Sequence, residues 1–308
     1  MSWNPIIAGV DASPEGAWAG AAAWRFAKQA GAECRLVHAV TEHWLPDPDL
    51  PLAMHDVAML RRHAETQARR AIEETLAGNM PPEAIERLEI RFGHPARALQ
   101  EAAQDLDADL IVVGAKRHRR LSRWLAGSTA HDVVRLVQAP VLVATSSVAQ
   151  IERVLVAVDL SDSGPATIAA GERLAALTGA ALRFVHLIPQ LPIVPEAPLD
   201  LDIAEYYRTV EKVVDESVWP LIKTASADRV IRRDAVRHGI ISEAESWRAD
   251  VLVVGSHGQG LVDRILLGSM TEGLLRSLPT SVLVVPTHLA ARLTAGRRTL
   301  GAAAVGAP

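Results

Sequence analysis

Glycine and serine residues near the end of the chain have the spacing of a loop that binds phosphate. Gly255, Gly258, Gly268 and Ser269 form the pattern G-x2-G-x9-G-S within VVGSHGQGLVDRILLGSMT. Glycines lack a Cβ atom, so their backbone N–H groups can approach an anion, and the helix that follows such a turn offers unpaired N–H groups. The pattern predicts an anion site that includes Ser256 in the first turn, with Ser269 as either a helix cap or a donor to phosphate.

An imperfect copy of this pattern lies in the first half of the chain. Gly114, Gly127 and Ser128 hold the equivalent positions in VVGAKRHRRLSRWLAGST, but Arg117 stands where the middle glycine is expected. Two interpretations stay open for this basic loop. In the first, its side-chain charges replace the missing N–H contacts, because guanidinium groups bind phosphate in a bidentate way. In the second, the loop is a solvated segment of a structural domain.

Both patterns belong to a duplication that spans the chain. Asp11 in IIAGVDAS corresponds to Asp159 in VLVAVDLS, and His38 corresponds to His186, at an offset of 148 residues. The offset falls to 141 for Gly127 and Gly268, because seven residues are absent from the second copy. Two repeats of ordinary domain size predict tandem domains over residues 1–147 and 148–287, followed by a tail of residues 288–308 that we expect to be disordered.

Each half alternates short strands rich in valine and isoleucine with helical segments. This order predicts a five-stranded parallel sheet with helices on both faces, which is a doubly wound, Rossmann-like α/β fold. Ligands of such sheets bind beyond the carboxyl ends of the strands, where the strand order reverses. Asp159 and Gly255 end the first and fourth strands of the second half, so we expect them at one edge, with Asp159 facing a ribose hydroxyl or a metal-bound phosphate.

The helices of the second half have boundaries that the sequence also predicts. Pro220 should end or bend the helix that contains it, because proline lacks an N–H and crowds the preceding turn. We predict helices over residues 166–177, 203–224, 241–247 and 269–278.

Composition excludes several classes of protein. The net charge of −4 and a pI near 6.3 disfavour a general polyanion binder, and the basic loop lacks the interleaved aromatic residues of a nucleic-acid site. The lone cysteine, Cys34, excludes an internal disulfide and suits a reducing compartment. No apolar run is long enough to span a membrane, and a strand begins at Pro5 with no room for a signal peptide, so we expect a cytoplasmic protein.

The motifs resemble those of the universal stress protein family in its tandem form. The resemblance covers residues 5–145 and 153–286, and its most specific parts are VAVD, ADVLVVGSHG and the glycine–serine pattern. It implies a fold like that of the adenine nucleotide alpha hydrolases and, in one branch of the family, ATP binding. It also implies that VLVATS of the first half pairs antiparallel with VLVVPT of the second, while a homodimer and a protein partner stay open.

The resemblance assigns roles to individual residues in the second half. Asp159 would contact the ribose, Ala157 and Leu187 the adenine, and the phosphates would be bound by Gly255, Gly258, Gly268, Ser269 and Met270. A second, weaker site in the first half would use the residues at the equivalent positions, which are Asp11, Ala39, Gly114, Arg117, Gly127 and Ser128.

Three classes of function follow from these features. The first is a stress protein that binds ATP, with Mg2+ as a candidate bridge between phosphates, and senses or holds the nucleotide without fast turnover. The second is an ATP-using enzyme, against which the chain lacks a G-x-x-x-x-G-K-[ST] loop, although slow hydrolysis stays open. The third is a scaffold in which both glycine loops are vestigial, and the intact pattern of the second half speaks against it.

Overall fold

The computed structural model describes residues 3–41, 54–115, 128–145, 150–190, 202–256 and 267–287. The chain divides into two compact units, Met1–Ala149 and Gln150–Pro308. Of the sequence features above, Arg117, Gly127, Gly258 and the tail of residues 288–308 lie outside the described residues.

The first unit alternates strands and helices. Its elements are β1 (Ile6–Gly9), α1 (Pro14–Ala30), β2 (Cys34–Val40), α2 (Met54–Leu76), the short α3 (Pro82–Ile85), β3 (Leu88–Phe92), α4 (Pro95–Asp105), β4 (Leu110–Gly114), α5 (Ser128–Leu136) and β5 (Val141–Ala144).

The second unit repeats this order, with a 3-10 turn at the place of α3. Its elements are β6 (Arg153–Ala157), α6 (Gly164–Thr178), β7 (Ala181–Ile188), α7 (Ile203–Ser217), a 3-10 turn (Trp219–Leu221), β8 (Asp228–Arg233), α8 (Val236–Ser246), β9 (Val251–Gly255), α9 (Ser269–Ser277) and β10 (Ser281–Val285).

Each unit contains a five-stranded parallel sheet. The strand order is β3-β2-β1-β4-β5 in the first unit and β8-β7-β6-β9-β10 in the second. Right-handed crossovers run outward from β1 to β3 and then back through β4 to β5, which places helices on both faces of the sheet. The predicted fold class, two tandem doubly wound α/β domains, is confirmed.

Local sequence signals set the ends of the first helix in each unit. Ser13 caps α1 by accepting a hydrogen bond from the Gly16 N–H at 3.1 Å, and Pro14 occupies the first helical position. The two helices end at Gly31 and Gly179, whose φ angles of 63° and 71° lie in the left-handed region that glycine adopts without a steric penalty.

The core of each unit is built from the small and branched apolar side chains of the central strands. Residues 6–8 of β1 and 154–156 of β6 are completely buried, and Cys34 is 2% exposed on β2. None of the helices in the described parts of the chain is both long and apolar enough to cross a membrane.

The helices of the second unit depart from prediction at two points. Helix α7 ends at Ser217 and a 3-10 turn carries Pro220, so the predicted break occurs there. Helix α8 begins at Val236, five residues before the predicted start. Its early turns contain Gly239, a poor helix former that packs directly against Leu187, so tertiary contact outweighs propensity here.

The repeated aspartates that precede β4 and β9 have a structural role at the amino edge of each sheet. Asp250 Oδ2 accepts hydrogen bonds from the N–H groups of Glu152 and Arg153 at 2.8 and 2.9 Å. Asp109 Oδ2 accepts one from the Asn4 N–H at 3.1 Å. These contacts hold the entry to the first strand of each unit, so this part of the repeat reflects folding.

Candidate functional site

The candidate site of the second unit lies where the strand order reverses, between β6 and β9. Val156 pairs with Val253, so Val158 and Gly255 lie level with each other at the carboxyl ends of these strands. Asp159 lies two residues after the end of β6, and α9 is the next described element after β9. The predicted ribose and phosphate residues are therefore on the two sides of one crevice, as expected for an open α/β sheet.

The Asp159 carboxylate is oriented by a turn of its own chain. Its Oδ1 accepts hydrogen bonds from the Ser161 N–H at 3.2 Å and from the Ser161 hydroxyl at 2.6 Å. Its Oδ2 has no hydrogen-bond partner among the described residues, so one oxygen remains to accept from a ligand hydroxyl. Asp11 is held in the same way by Ser13. The repeated D-x-S sequence was the signal for this turn, and sequence reasoning missed it.

The buried imidazole of His186 contacts the backbone between β6 and Asp159. Its Nδ1 lies 2.9 Å from the Val158 carbonyl oxygen, and since a carbonyl only accepts, Nδ1 carries the proton. Burial lowers the pKa of His186 below its ordinary value, against smaller opposing effects of this hydrogen bond and of Asp159. The ring is neutral at pH 7, and His38 makes the same contact with Val10 at 2.8 Å.

The first turn of α9 offers backbone donors at the other side of the crevice. Gly268 is the N-cap and Ser269 is the first helical residue, so Ser269 does not cap the helix and its exposed side chain can donate to a ligand. The first helical hydrogen bond runs from the Glu272 N–H to the Gly268 carbonyl at 2.9 Å. The N–H groups of Ser269, Met270 and Thr271 have no acceptor among the described residues, as is usual for a helix start.

Contacts around Thr271 hold α9 against the end of β9. Thr271 is completely buried, and its hydroxyl donates to the Gly255 carbonyl at 2.7 Å. The Gly268 N–H donates to the Ser256 carbonyl at 2.9 Å. Ser256 is itself engaged, because its N–H donates to Val285 at 2.8 Å and its hydroxyl accepts from the Thr287 N–H at 3.1 Å. Thr271 was not predicted, since a buried threonine has no distinctive spacing.

The residues expected to contact adenine lie at the ends of neighbouring strands. Ala157 ends β6 and is half-buried, and it pairs with Val185 on β7. Leu187 is 7% exposed, and its Cδ1 lies 2.4 Å from the position that a Cβ of Gly239 would take. The Leu187 side chain therefore packs against α8.

The corresponding crevice of the first unit contains different side chains. Gly114 ends β4 so close to α1 that a Cβ atom there would lie 2.3 Å from the Glu15 carbonyl oxygen. Glu15 has a buried Oε2 without a hydrogen-bond partner and stands at the position of Ser163 in the second unit. Helix α5 begins at Ser128, and its third residue is Ala130 where the second unit has Thr271. Asp11 lies two residues after the end of β1, and Ala39 lies near the end of β2.

Within the described ranges, no three histidine, cysteine, aspartate or glutamate side chains are grouped so that they could hold a metal ion.

Comparison with known proteins gives one family for both units. A sequence model of the universal stress protein family matches residues 2–145 and 150–286. The chain is 27% identical over 293 residues to a universal stress protein of Mycolicibacterium smegmatis, covering 91% of this chain and 96% of that protein. It is 29% identical over 138 residues to the universal stress protein A homolog 1 of Coxiella burnetii, covering 44% of this chain and 95% of that protein.

Solved structures give the same fold. A universal stress protein of Archaeoglobus fulgidus matches with a TM-score of 0.63 at 20% identity, covering 92% of this chain and 98% of that one. A putative universal stress protein of Pseudomonas aeruginosa matches with a TM-score of 0.61 at 17% identity, covering 94% and 95%. At this identity the likeness concerns the fold alone.

Proposed function

The chain belongs to the universal stress protein family, and on that premise we propose that its second unit binds ATP and acts as a nucleotide-dependent regulator in the stress response. The nucleotide lies in the crevice between β6 and β9. Asp159 accepts from the ribose, and the start of α9 binds phosphate. The proposal is for binding without fast turnover, because the residues that support it are groups that bind a ligand.

One observation carries the proposal. Asp159, with an Oδ2 that accepts no hydrogen bond from a described residue, lies after β6, and the unpaired N–H groups of Ser269 and Met270 lie at the helix start after the neighbouring β9. An acceptor on one side and several donors on the other match the two chemically different parts of a nucleotide, its hydroxyl-bearing sugar and its anionic phosphates. The buried Thr271 hydroxyl supports this arrangement by tying α9 to β9.

The adenine and the cation belong to the same proposal. Ala157 and Leu187 lie near the carboxyl ends of the neighbouring strands β6 and β7, where the family resemblance assigns the base. Mg2+ brought by the nucleotide would bind phosphate oxygens, with the Asp159 carboxylate as a candidate protein ligand.

The first unit is proposed not to bind a polyphosphate. Glu15 replaces Ser163 and Asp132 replaces Gly273, so two carboxylates stand where the second unit has a hydroxyl and a hydrogen. Asp132 lies in the second turn of α5, close to the helix start that would have to bind phosphate. The second unit has Glu272 in the first turn of α9, but Arg276 pairs with it, whereas Glu15 has a buried oxygen without a hydrogen-bond partner. A carboxylate without a cation repels phosphate, so one nucleotide per chain is the stoichiometry that we propose.

The test is to measure nucleotide content and affinity in matched variants of the two units. Protein purified without added nucleotide is denatured, and the released nucleotide is identified by mass spectrometry and quantified. Asp159→Ala should weaken ATP binding in calorimetry about tenfold or more, because a hydrogen bond to a charged acceptor is lost. Asp11→Ala, which removes the equivalent carboxylate from the first unit, should leave the affinity unchanged.

Each other outcome has a definite meaning. If wild-type protein releases no nucleotide and binds none in calorimetry, the chain is a scaffold with the fold of a binder and the proposal is wrong. If about two nucleotides bind per chain and Asp11→Ala removes one, the basic loop of the first unit compensates for its carboxylates.

A further inference from the structure

The side chain of Arg237 lies across helix α9 next to the proposed phosphate site. Its Cδ and Nη1 atoms are each 3.0 Å from the position that a Cβ of Gly273 would take. Glycine within a helix costs about 1 kcal/mol of stability relative to alanine. Because position 273 has no side chain, this arginine can pack directly on the surface of the helix.

Arg237 is available for a ligand. It is exposed, and it has no ion pair with a carboxylate among the described residues. The neighbouring charges are already engaged, since Asp234 is bound by His238 at 2.8 Å and Arg276 by Glu272 at 2.5 Å.

Arg237 lies near the start of α9. Helices α8 and α9 both follow strands of one parallel sheet, so both begin at its carboxyl edge. Arg237 is the second residue of α8, and Gly273 lies four residues after Ser269, which is about 6 Å along the helix axis. The guanidinium group is thus about one helical turn away from the N–H groups of Ser269 and Met270.

The first unit reverses the charge of this pair of positions. Ala96 stands at the position of Arg237, and Asp132 at the position of Gly273. Ala96 is completely buried, and Asp132 has His94 as a neighbour at 4.0 Å. The cation and the helix surface that accommodates it therefore occur together in the second unit, while the first unit has a carboxylate and no cation.

We propose that Arg237 binds the outer phosphates of the nucleotide and makes the second unit selective for triphosphates over monophosphates. The inference rests on the proposed nucleotide site and adds its specificity. The start of α9 holds the phosphate nearest the ribose, and Arg237 rotates from the surface of Gly273 to the phosphates beyond it. A guanidinium suits this role because its planar donors bind two phosphate oxygens at once.

The experiment compares ATP, ADP and AMP on four proteins by calorimetry. Arg237→Ala should weaken ATP binding about tenfold to a hundredfold, because a charge-assisted contact is lost, and leave AMP affinity unchanged. Gly273→Asp, which copies the first unit, should weaken ATP binding in the same direction. Arg229→Ala removes another exposed arginine, at the start of β8 and thus at the opposite edge of the sheet, and should change neither affinity.

The outcomes separate this inference from the proposed function. An equal loss for ATP and AMP in Arg237→Ala, or no loss for ATP, overturns the role of Arg237 while nucleotide binding by the second unit stands. If the wild-type protein binds none of the three nucleotides, the proposed function itself fails. Because Arg237 is exposed, the variant should unfold at the wild-type temperature, and circular dichroism checks this before titration.

Discussion

The packing between β6 and α6 leads to a stability prediction with an internal control. Gly171 of α6 lies so close to Val156 of β6 that a Cβ atom would be 2.3 Å from Val156 Cγ2. At the equivalent positions the first unit has Ala23 and Ala8, both completely buried. One unit thus combines valine with glycine, and the other combines two alanines, at the same contact between strand and helix.

The structure gives the expected size of each change. Gly171→Ala forces a methyl group against a stiff β-branched side chain, which costs about 1–3 kcal/mol, and alanine returns about 1 kcal/mol of helix propensity. Val156→Ala removes two buried methyl groups and should cost about 2 kcal/mol. In the double variant the new methyl group fills the vacated space, so we expect a loss of about 1 kcal/mol and a coupling energy of about 2 kcal/mol.

The assay is urea unfolding of the full chain followed by circular dichroism. The two units can unfold in separate transitions, so the midpoint of each transition is compared between variants. The reciprocal pair Ala8→Val and Ala23→Gly, made singly and together, should show the same coupling in the other unit. If Gly171→Ala raises the stability, or if the double variant loses the sum of the single losses, the close contact does not determine the choice of residues.

Three further predictions concern buried ionisable groups. Burial raises the pKa of the Cys34 thiol to about 12, so the folded protein should not react with a thiol reagent at pH 8, whereas the urea-unfolded chain should. Fast reaction of the folded protein would contradict the burial of this thiol. Burial lowers the pKa of His186 from its unfolded value near 6.5, so the unfolded state binds more protons and the stability should fall as the pH drops through 6.5. His186→Gln should weaken this pH dependence, and an unchanged pH profile in that variant would count against the role of His186. Glu243 is 2% exposed and binds Arg183 and Arg232 at 2.8 and 2.7 Å, so Glu243→Ala should cost about 3 kcal/mol in urea unfolding, and a loss below about 1 kcal/mol would mean that water replaces the carboxylate.

The sheet and its switch point were predictable because they depend on periodic features. Strands of valine and isoleucine alternate with helices twice, and few topologies are compatible with that order. The placement of Asp159 and Gly255 at one edge followed directly. The start of α8 was not predictable, since Gly239 signals a weak helix and only its contact with Leu187 explains the early turns.

The supporting contacts of the site could not be predicted from sequence for a different reason. The bond from the Thr271 hydroxyl to Gly255 joins residues 16 positions apart across a loop, and the contact of Arg237 with Gly273 joins two helices. Neither contact has a local pattern. By contrast, the hydrogen bonds from Ser161 to Asp159 are local, and the repeated D-x-S sequence contained that information.

The two units differ in their cores and in their crevices in separate ways. In the core, the two units distribute side-chain volume differently between contacting positions, since Val156 and Gly171 stand where the first unit has two alanines. Such exchanges conserve packing and give neither unit a new property.

In the crevice, paired positions exchange charge. The second unit has Arg237 where the first has Ala96, and it has no carboxylate where the first has Glu15 and Asp132. Volume exchanges satisfy the fold and need no ligand to explain them. These differences in charge gain nothing for packing, because Arg237 is exposed and one Glu15 oxygen is buried without a hydrogen-bond partner, so they support an anionic ligand in the second unit.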